Sequence, residues 1–158
     1  MSRIGFGYDS HRFEAGRPLV LGGVQIEHDR GLGGHSDADA ALHALTDAIL
    51  GAMAAGDIGE LFPDSDPELA GTHSAAFVRH ATALAAARGF RVANCDITII
   101  AECPILAPYK QTMRDNIAEM LGVDPQAVSV KAKTNEAMGF VGRGEGIAAL
   151  AAVLLVEQ

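Results

Sequence analysis

Segments with the residue patterns of β-strands and of α-helices alternate along the whole chain. Apolar alternation and β-branched side chains predict four strands, at Arg3–Phe13, Pro18–Ile26, Arg91–Glu102 and Ala127–Thr134. Helical periodicity predicts three helices, at Asp37–Ala54, Ser74–Arg88 and Tyr109–Leu121, the last two ending at Gly89 and Gly122. This alternation indicates a fold of the α/β or α+β class.

The segment Gly146–Glu157 is ambiguous, because its alanines favour a helix while its uninterrupted apolar run suits a buried strand. We predict a strand here. No internal repeat, low-complexity linker or abrupt change of composition divides the 158 residues, of which 49% are hydrophobic. We therefore expect a single domain, residues 1–158, with a core of its own.

The formal net charge of -8 argues against broad binding of nucleic acid, which requires clustered lysine and arginine side chains. The longest apolar run, Ile147–Val156, is shorter than the roughly 20 residues that cross a bilayer. Cys95 and Cys103 lack C-x-x-C spacing and are expected to be packing groups. The chain opens without the pattern of a secretory signal peptide, so we expect a soluble, cytoplasmic protein that binds neither membranes nor nucleic acid.

Asp9 and His11 stand two residues apart in GYDSHRF, a segment with the pattern of a strand. Successive side chains of a strand point to opposite faces, so these two share one face while Tyr8, Ser10 and Arg12 share the other. A carboxylate and an imidazole at this spacing can bind one divalent cation, and Zn²⁺ is the usual occupant of sites with mixed nitrogen and oxygen ligands. An ordinary ion pair is the alternative, and a metal site needs a further ligand.

His43 is the candidate for that further ligand. It lies on the first predicted helix, one turn after Asp39 and one turn before Asp47, on a more polar stripe than the neighbouring leucines. A lone histidine there would usually be a surface group or a hydrogen-bonded core residue. Together with Asp9 and His11 it completes a set of three protein ligands, which leaves the fourth tetrahedral position open as in catalytic zinc sites.

Glycines and polar residues precede this helix in the run Gly33–Ser36. Ser36, followed three residues later by Asp39, resembles a capping box at the start of the helix. Backbone N–H groups at a helix N-terminus bind anions, and His35 and Ser36 can donate hydrogen bonds to a phosphate. A tight turn without a ligand is the alternative, but the neighbouring metal site favours phosphate binding.

Two further stretches carry charged side chains that suit a phosphorylated, hydroxyl-rich ligand. The first, Gly56–Asp66, is rich in aspartate and predicts a loop that closes over such a ligand; a solvated acidic loop is the alternative. In the second, Lys131–Gly146, cationic side chains and Thr134 at a strand end stand beside Glu136. They predict a clamp for a diphosphate, with Glu136 holding a second divalent metal ion, although lysine and glutamate at a strand end are also commonplace.

Six motifs, in order, carry a resemblance that covers nearly the whole chain. They are GYDSHRF, LGGVQI, GGHSDADAALHALTDAILGA, GDIGELFPDSDP, DITIIAECPIL and KAKTNEAMGFVGRGEGIAA. In all six the chain resembles the 2-C-methyl-D-erythritol 2,4-cyclodiphosphate synthases of the non-mevalonate isoprenoid pathway. No single motif is decisive, but the ordered set is highly specific.

The resemblance implies an α+β domain with a mainly four-stranded mixed sheet packed on helices. It also implies a homotrimer whose sheets face inward, with active sites between neighbouring subunits. The implied activity is that of a phosphorus-oxygen lyase, in which 4-diphosphocytidyl-2-C-methyl-D-erythritol 2-phosphate becomes 2-C-methyl-D-erythritol 2,4-cyclodiphosphate and CMP. The 2-phosphate would attack the β-phosphorus, so the substrate supplies its own nucleophile.

The resemblance further implies two metal ions. Asp9, His11 and His43 match the family's ligands of one Zn²⁺ per subunit. Glu136 matches the residue that holds Mg²⁺ or Mn²⁺ between the α- and β-phosphates. These cations would orient the reacting phosphates and neutralise the charge that makes two anions repel each other.

Other positions that match the family's motifs are implied to contact the substrate. His35 and Thr134 match the positions credited with stabilising the transition state. Residues 57–59 and 62–66 would contact the erythritol hydroxyls, and residues 101–107 would receive the cytosine. The implied substrate-binding residues are Asp9, Ser10, His11, His35, Ser36, Asp57, Ile58, Gly59, Phe62, Pro63, Asp64, Ser65, Asp66, Ala101, Glu102, Cys103, Pro104, Ile105, Leu106, Ala107, Lys133, Thr134, Asn135, Glu136, Phe140 and Arg143.

A zinc-dependent phosphodiester hydrolase and a zinc-stabilised binding protein are alternatives on residue types alone. In a hydrolase, a metal-bound water would be the nucleophile, and Asp57 or Asp64 could act as its base. In a binding protein, a trimer would carry a phosphorylated or isoprenoid ligand in its central cavity without turnover. Neither alternative accounts for the ordered set of six motifs.

Overall fold

The computed structural model describes all residues, 1–158. Strands β1 to β7 comprise Ser2–Ala15, Leu19–Leu21, Val24–Ile26, Arg30–Leu32, Phe90–Ile100, Val128–Lys133 and Gly146–Glu157. Helices α1 to α5 comprise Ala40–Ala52, Ile58–Leu61, Ala75–Ala87, Lys110–Leu121 and Gly139–Gly142. Short 3₁₀ turns lie at Pro67–Leu69, Ala107–Tyr109 and Pro125–Ala127. None of the helices combines the length and the apolar character that a membrane span requires.

The main sheet has five strands in the order β4-β1-β7-β5-β6. It is mixed, because β5 and β6 run parallel while the other neighbours are antiparallel. The predicted mixed sheet packed on helices, and the α+β class, are therefore confirmed. Gly146–Glu157 is a strand, as predicted, and occupies the centre of the sheet. The three-residue edge strand β4 was not predicted.

The prediction of one continuous strand at Pro18–Ile26 is wrong. The chain reverses at Gly22 and Gly23, whose φ angles are 59° and 72°, so β2 and β3 pair as a separate two-stranded hairpin. Glycine adopts positive φ without a steric cost, which is why the reversal occurs at these two residues.

Gly5 and Gly7 allow helix α1 to lie directly on strand β1. An ideal Cβ at Gly5 or Gly7 would lie 1.7 Å or 1.9 Å from a backbone carbonyl oxygen of α1, far closer than any side chain tolerates. Glycine is therefore required at both positions. Because side chains alternate along a strand, the next two on this face belong to Asp9 and His11, which consequently point toward α1.

The opposite face of the sheet is uncovered in the single chain. Ile4, Phe6 and Tyr8 of β1 project from it with exposed fractions of 79%, 63% and 50%. Ser10 follows on the same face and is also exposed. A contiguous row of large apolar side chains on an open sheet indicates an interaction surface.

Helix α1 begins three residues later than predicted, and its N-cap is Asp39 rather than Ser36. The Asp39 carboxylate accepts hydrogen bonds from the backbone N–H groups of Leu42 at 3.0 Å, Gly22 at 3.0 Å and Gly23 at 2.8 Å. The predicted capping box is therefore wrong, and Asp39 instead joins the helix to the turn of the β2–β3 hairpin. Burial raises the pKa of this carboxyl to about 6.

The remaining helix predictions agree closely with the structure. Helices α3 and α4 begin one residue after the predicted positions, and Gly122 ends α4 in the left-handed conformation with a φ of 66°. The four-residue helices α2 and α5 were not predicted, because one turn is too short to show helical periodicity.

Of the two cysteines, Cys95 is buried in the core, as predicted for a packing group. Burial raises the pKa of its thiol to about 12, so the thiol stays protonated and unreactive near neutral pH. Cys103 is only half-buried.

Asp39→Ala is expected to lower the free energy of unfolding by about 3 kcal/mol, because it removes the N-cap of α1 and leaves three backbone N–H groups without their acceptor. Urea denaturation followed by circular dichroism measures this loss. Asp124→Ala is the matched control, since Asp124 also caps a helical turn, through the N–H of Gln126, but is exposed. If Asp39→Ala and Asp124→Ala lost equal amounts of unfolding free energy, Asp39 would not be the buried acceptor that stabilises the start of α1.

Candidate active site

The side chains of Asp9, His11 and His43 converge between β1 and α1. Asp9 Oδ2 lies 2.8 Å from His11 Nε2 and 3.1 Å from His43 Nδ1, and the two ring nitrogens are 3.2 Å apart. The exposed fractions of the three side chains are 26%, 17% and 11%. The structure thus brings together the three residues that the sequence predicts as ligands of one metal ion.

The contacts within this cluster favour a proton shared among its side chains. His11 Nδ1 lies 2.7 Å from the carbonyl oxygen of Gly33, which only accepts, so Nδ1 carries a proton and Nε2 faces Asp9. Burial raises the pKa of Asp9, but the hydrogen-bonding contacts with His11 and His43 outweigh it and hold the pKa below its usual value. Burial lowers the pKa of His11, but the hydrogen bond to Asp9 outweighs it and raises the pKa. A metal ion would take the place of the shared proton.

The donor set fits zinc. One carboxylate oxygen and two imidazole nitrogens are typical of catalytic zinc sites, whereas magnesium and calcium prefer oxygen ligands alone. The cluster lies in the wall of a cavity of about 220 Å³, from which a ligand could reach a bound ion. The other lining residues are Gly34, His35, Ser36, Ile58, Gly59, Phe62, Asp64, Leu69 and Phe77.

The run Gly33–Ser36 borders this cavity as a loop and not as the start of a helix. Because α1 begins only at Ala40, the N–H groups of its first turn lie beyond this run. The helix N-terminus expected at Gly33–Ser36 is therefore wrong, whereas phosphate contacts from His35 and Ser36 stay a prediction.

His35 and Ser36 have different partners beside the cavity. Ser36 is only 6% exposed; its Oγ accepts a hydrogen bond from the N–H of Ala38 at 3.1 Å and lies 3.2 Å from His43 Nε2. His35 Nε2 lies 3.0 Å from the carbonyl oxygen of Asp66, which holds the imidazole next to the aspartate-rich segment.

The predicted loop Gly56–Asp66 contains helix α2, and two of its aspartates serve as caps. Asp57 accepts a hydrogen bond of 2.9 Å from the first turn of α2, and Asp66 accepts one of 3.0 Å from the following 3₁₀ turn. Asp64 is the aspartate of this segment that lines the cavity. Of the other predicted residues here, Ile58, Gly59 and Phe62 also line it, whereas Asp57, Pro63, Ser65 and Asp66 do not.

Three residues around the cluster were not predicted. The ring of Phe77 packs on Phe62 with centroids 4.5 Å apart, and Leu69 adds to the same apolar wall. Ser74 Oγ lies 2.8 Å from His43 Nε2. In the sequence Ser74 resembles an ordinary residue at a helix start, and Phe77 an ordinary core residue, so no local signal distinguishes them.

A second cavity, of about 180 Å³, lies at the end of β6. It is lined by Ala101, Glu102, Pro104, Ile105, Leu106, Ala107, Ala132, Lys133 and Thr134. The structure therefore brings Thr134 together with most of the segment expected to receive cytosine. Cys103 is not among the lining residues.

Glu102 organises the loop that follows β6. Its Oε1 accepts hydrogen bonds from the backbone N–H groups of Asn135 at 2.8 Å and Ala137 at 3.2 Å. Glu136 and Ala137 have positive φ angles, 53° and 58°, which are costly for residues with side chains. The Glu102 carboxylate thus supports a strained turn that leaves the Glu136 side chain exposed.

The two cavities are separated within one chain. The metal cluster lies on β1 and Thr134 follows β6, with β7 and β5 between them. The register pairs Asp9 with Ala149, Ala149 with Ile99, and Ile99 with Ala132, so both cavities lie at the same level of the sheet. Three strand spacings correspond to about 14 Å. One chain alone therefore does not bring its predicted zinc ligands and Thr134 together.

Phe140 and Arg143 lie in and just after helix α5, and neither lines the two cavities. Phe140 is 39% exposed. Arg143 Nε donates a hydrogen bond of 2.6 Å to Glu145 Oε1 at the surface. Their contacts with the substrate therefore stay a prediction.

Comparison with known proteins gives a match over nearly the whole chain: the family model described as YgbB family matches residues 2–156. The chain belongs to the YgbB family. Together with a curated 2-C-methyl-D-erythritol 2,4-cyclodiphosphate synthase that is 59% identical to this chain, this match confirms the resemblance carried by the six motifs. The fold of this chain is also found in IspF of Plasmodium falciparum, which was solved as a CDP complex. The two structures have a TM-score of 0.87 and 36% sequence identity, over 99% of this chain and 97% of that one.

Two kinds of curated relatives match this chain. The 2-C-methyl-D-erythritol 2,4-cyclodiphosphate synthase of Symbiobacterium thermophilum is 59% identical over 98% of this chain and 99% of that protein. The bifunctional enzyme IspD/IspF of Erythrobacter litoralis is 54% identical over 99% of this chain. This chain spans only 40% of the length of that bifunctional enzyme.

Proposed function

We propose that the chain is a 2-C-methyl-D-erythritol 2,4-cyclodiphosphate synthase of isoprenoid precursor biosynthesis. It would convert 4-diphosphocytidyl-2-C-methyl-D-erythritol 2-phosphate into the 2,4-cyclodiphosphate and CMP. The observation that carries the proposal is the Asp9, His11 and His43 cluster opening onto a cavity, in a chain 59% identical to such a synthase. The CDP bound to a related structure supports a cytidine diphosphate substrate.

The reaction is an intramolecular phosphoryl transfer. An oxygen of the 2-phosphate forms a bond to the β-phosphorus, while the bond from the β-phosphorus to the oxygen that bridges to the α-phosphate breaks. The electron pair of that bond leaves with CMP, and no water is consumed. The task of the protein is therefore to align two anionic groups and to offset their repulsion.

The zinc ion would be held by Asp9 Oδ2, His11 Nε2 and His43 Nδ1. When bound, it would supply positive charge to the phosphate oxygens. His35 and Ser36 border the same cavity and would donate hydrogen bonds to those oxygens, which is most favourable where charge develops in the transition state.

The remaining wall of this cavity suits the methylerythritol. Asp64 carries a charge that a phosphate would avoid, but its carboxylate can accept hydrogen bonds from hydroxyl groups. Phe62 and Phe77 provide an apolar surface for the carbon skeleton and exclude water from the reacting phosphates.

The second cavity would hold the cytidine diphosphate end of the substrate. Lys133 and Thr134 line it and would donate to the β-phosphate, and the small pocket along residues 101–107 would receive the cytosine. Glu136, exposed on the neighbouring turn, would hold Mg²⁺ or Mn²⁺ between the α- and β-phosphates.

We further propose a homotrimer with inward-facing sheets, in which neighbouring chains share each active site. The separation of the two cavities by β7 and β5 supports a shared site, and the exposed row Ile4, Phe6 and Tyr8 supports burial of the open sheet face. In such a trimer Phe140 and Arg143 would lie near the threefold axis or the substrate phosphates of the neighbour. The single domain and the cytoplasmic location stay predictions.

Glu102→Ala is expected to lower kcat about 10- to 100-fold and to raise the Mg²⁺ concentration required, because the turn that carries Glu136 loses its acceptor. Glu102→Gln keeps the Oε1 acceptor and should retain most activity. Steady-state kinetics over a Mg²⁺ titration, with zinc content measured in parallel, checks both variants. Wild-type kinetics in Glu102→Ala would refute this supporting role.

The proposed function is tested by chromatography and mass spectrometry of the products formed from the substrate with Mg²⁺, with and without a zinc chelator. The expected result is equimolar CMP and cyclodiphosphate, lost on chelation. An open-chain 2,4-bisphosphate would indicate a hydrolase instead. Bound substrate without any product would indicate a binding protein.

A further inference from the structure

His43 presents only one of its ring nitrogens to the metal cluster. Nδ1 faces Asp9, whereas Nε2 faces the start of α3 and lies 2.8 Å from Ser74 Oγ and 3.2 Å from Ser36 Oγ. Ser74 is completely buried. In a neutral imidazole only one nitrogen carries a proton, so the partner of Nε2 decides whether Nδ1 has a lone pair for a metal ion.

Asp37 determines the direction of the hydrogen bond between Ser74 and His43. Ser74 Oγ makes a short hydrogen bond with Asp37 Oδ1, and the Ser74 N–H donates to Asp37 Oδ2 at 3.1 Å. An ionised carboxylate has no proton to give, so the serine hydroxyl donates its single proton to Asp37. Ser74 Oγ then has only lone pairs toward the ring, and it must accept from the Nε2–H of His43.

We infer that Asp37 and Ser74 are positioning residues for the metal ligand His43. Through Ser74, Asp37 holds the His43 tautomer with the proton on Nε2, and so directs the Nδ1 lone pair to the centre of the cluster. His11 is held in the corresponding way by the carbonyl oxygen of Gly33 on its Nδ1. The inference rests on the proposed zinc site and concerns what orients one of its ligands.

The same two residues also connect the starts of two helices. Asp37 precedes α1 and Ser74 precedes α3, and the Asp37 N–H donates to the carbonyl oxygen of Thr72 at 3.2 Å. A purely structural role would affect only stability. The positioning role has two further consequences, on the affinity for zinc and on the tautomer of His43, and these separate the two roles.

The first measurement compares zinc affinities by competition with a chromogenic chelator. Ser74→Ala removes the hydroxyl but keeps the N–H that binds Asp37, so the connection between the helices is retained. Thr82→Ala is the matched control, because it removes a hydroxyl from α3 that donates to the carbonyl oxygen of Val78 at 2.8 Å. We expect Ser74→Ala to bind zinc about 10- to 100-fold more weakly than wild type and Thr82→Ala to bind it equally well.

The second measurement is ¹⁵N NMR of the His43 ring in the zinc-free protein. We expect the proton on Nε2 in wild type and a mixture of tautomers in Ser74→Ala. Adding Asp37→Asn to Ser74→Ala should change zinc affinity little further, because the connection to His43 is already broken.

Equal zinc affinities in Ser74→Ala and Thr82→Ala, with the same His43 tautomer in both, would overturn this inference. Wild-type protein that binds zinc through His43 but forms no cyclodiphosphate would overturn the proposed function and leave the inference standing. The two failures are therefore distinguishable.

Discussion

We expect His43→Ala to lose its zinc and to turn over at least about a thousandfold more slowly than wild type. Only Asp9 and His11 would remain, and two protein ligands hold the ion poorly compared with three. Without the ion, the repulsion between the two reacting phosphates is no longer offset. Zinc content and the steady-state rate, measured on the same preparation, check this prediction.

Thr46→Ala is the matched control for His43→Ala. Thr46 is buried on the same helix, one turn further along, and its hydroxyl donates to the carbonyl oxygen of Leu42 at 2.8 Å and not to the cluster. This variant should keep both zinc and turnover. A His43→Ala protein that is free of zinc and fully active would contradict the metal assignment.

Glu136→Ala and His43→Ala are each expected to be nearly inactive alone and to regain activity when the two chains assemble together. Each substitution damages a different half of the site, and in the proposed homotrimer the halves come from neighbouring chains. In trimers assembled at random from equal amounts, about one quarter of the sites pair two intact halves. Co-expression of the two chains should therefore restore about one quarter of wild-type activity.

A mixture that cannot form an intact site is the control for this complementation. Glu136→Ala combined with the double variant His43→Ala/Glu136→Ala contains no intact Glu136 half and should stay inactive. If co-assembled Glu136→Ala and His43→Ala chains also stayed inactive, each site would have to lie within one chain. That result would contradict the proposal that neighbouring chains share each active site.

The metal cluster could be predicted from the sequence because it depends mainly on local periodicity. Strand alternation places Asp9 and His11 on one face, and the structure confirms this. The contact of α1 with β1 then requires Gly5 and Gly7, whose spacing of two is visible in the sequence. What the sequence did not show is that these glycines face the helix that carries His43.

The hairpin at Pro18–Ile26 and the start of α1 could not be predicted for a common reason. Both depend on Asp39, which binds the N–H groups of Gly22 and Gly23 as well as the first turn of its own helix. Local patterns favoured a capping box that begins at Ser36. A buried contact between distant segments outweighed that local preference.

The separation of the two cavities follows from the order of the strands, which is not apparent from the order of the motifs. Strand β7 is last in the sequence but pairs with both β1 and β5, so it lies between the metal cluster and Thr134. The resemblance implied a site between subunits. The residues alone indicated only that Thr134 and Glu136 suit a diphosphate.

The central claim is that the 2-phosphate of the substrate, and not water, attacks the β-phosphorus. It is tested most directly by ³¹P NMR of the reaction in water enriched in ¹⁸O, with Zn²⁺ and Mg²⁺ present. The account predicts resonances of CMP and the cyclodiphosphate, none of them shifted by ¹⁸O. An open-chain bisphosphate whose β-derived phosphorus carries ¹⁸O from the solvent would contradict it.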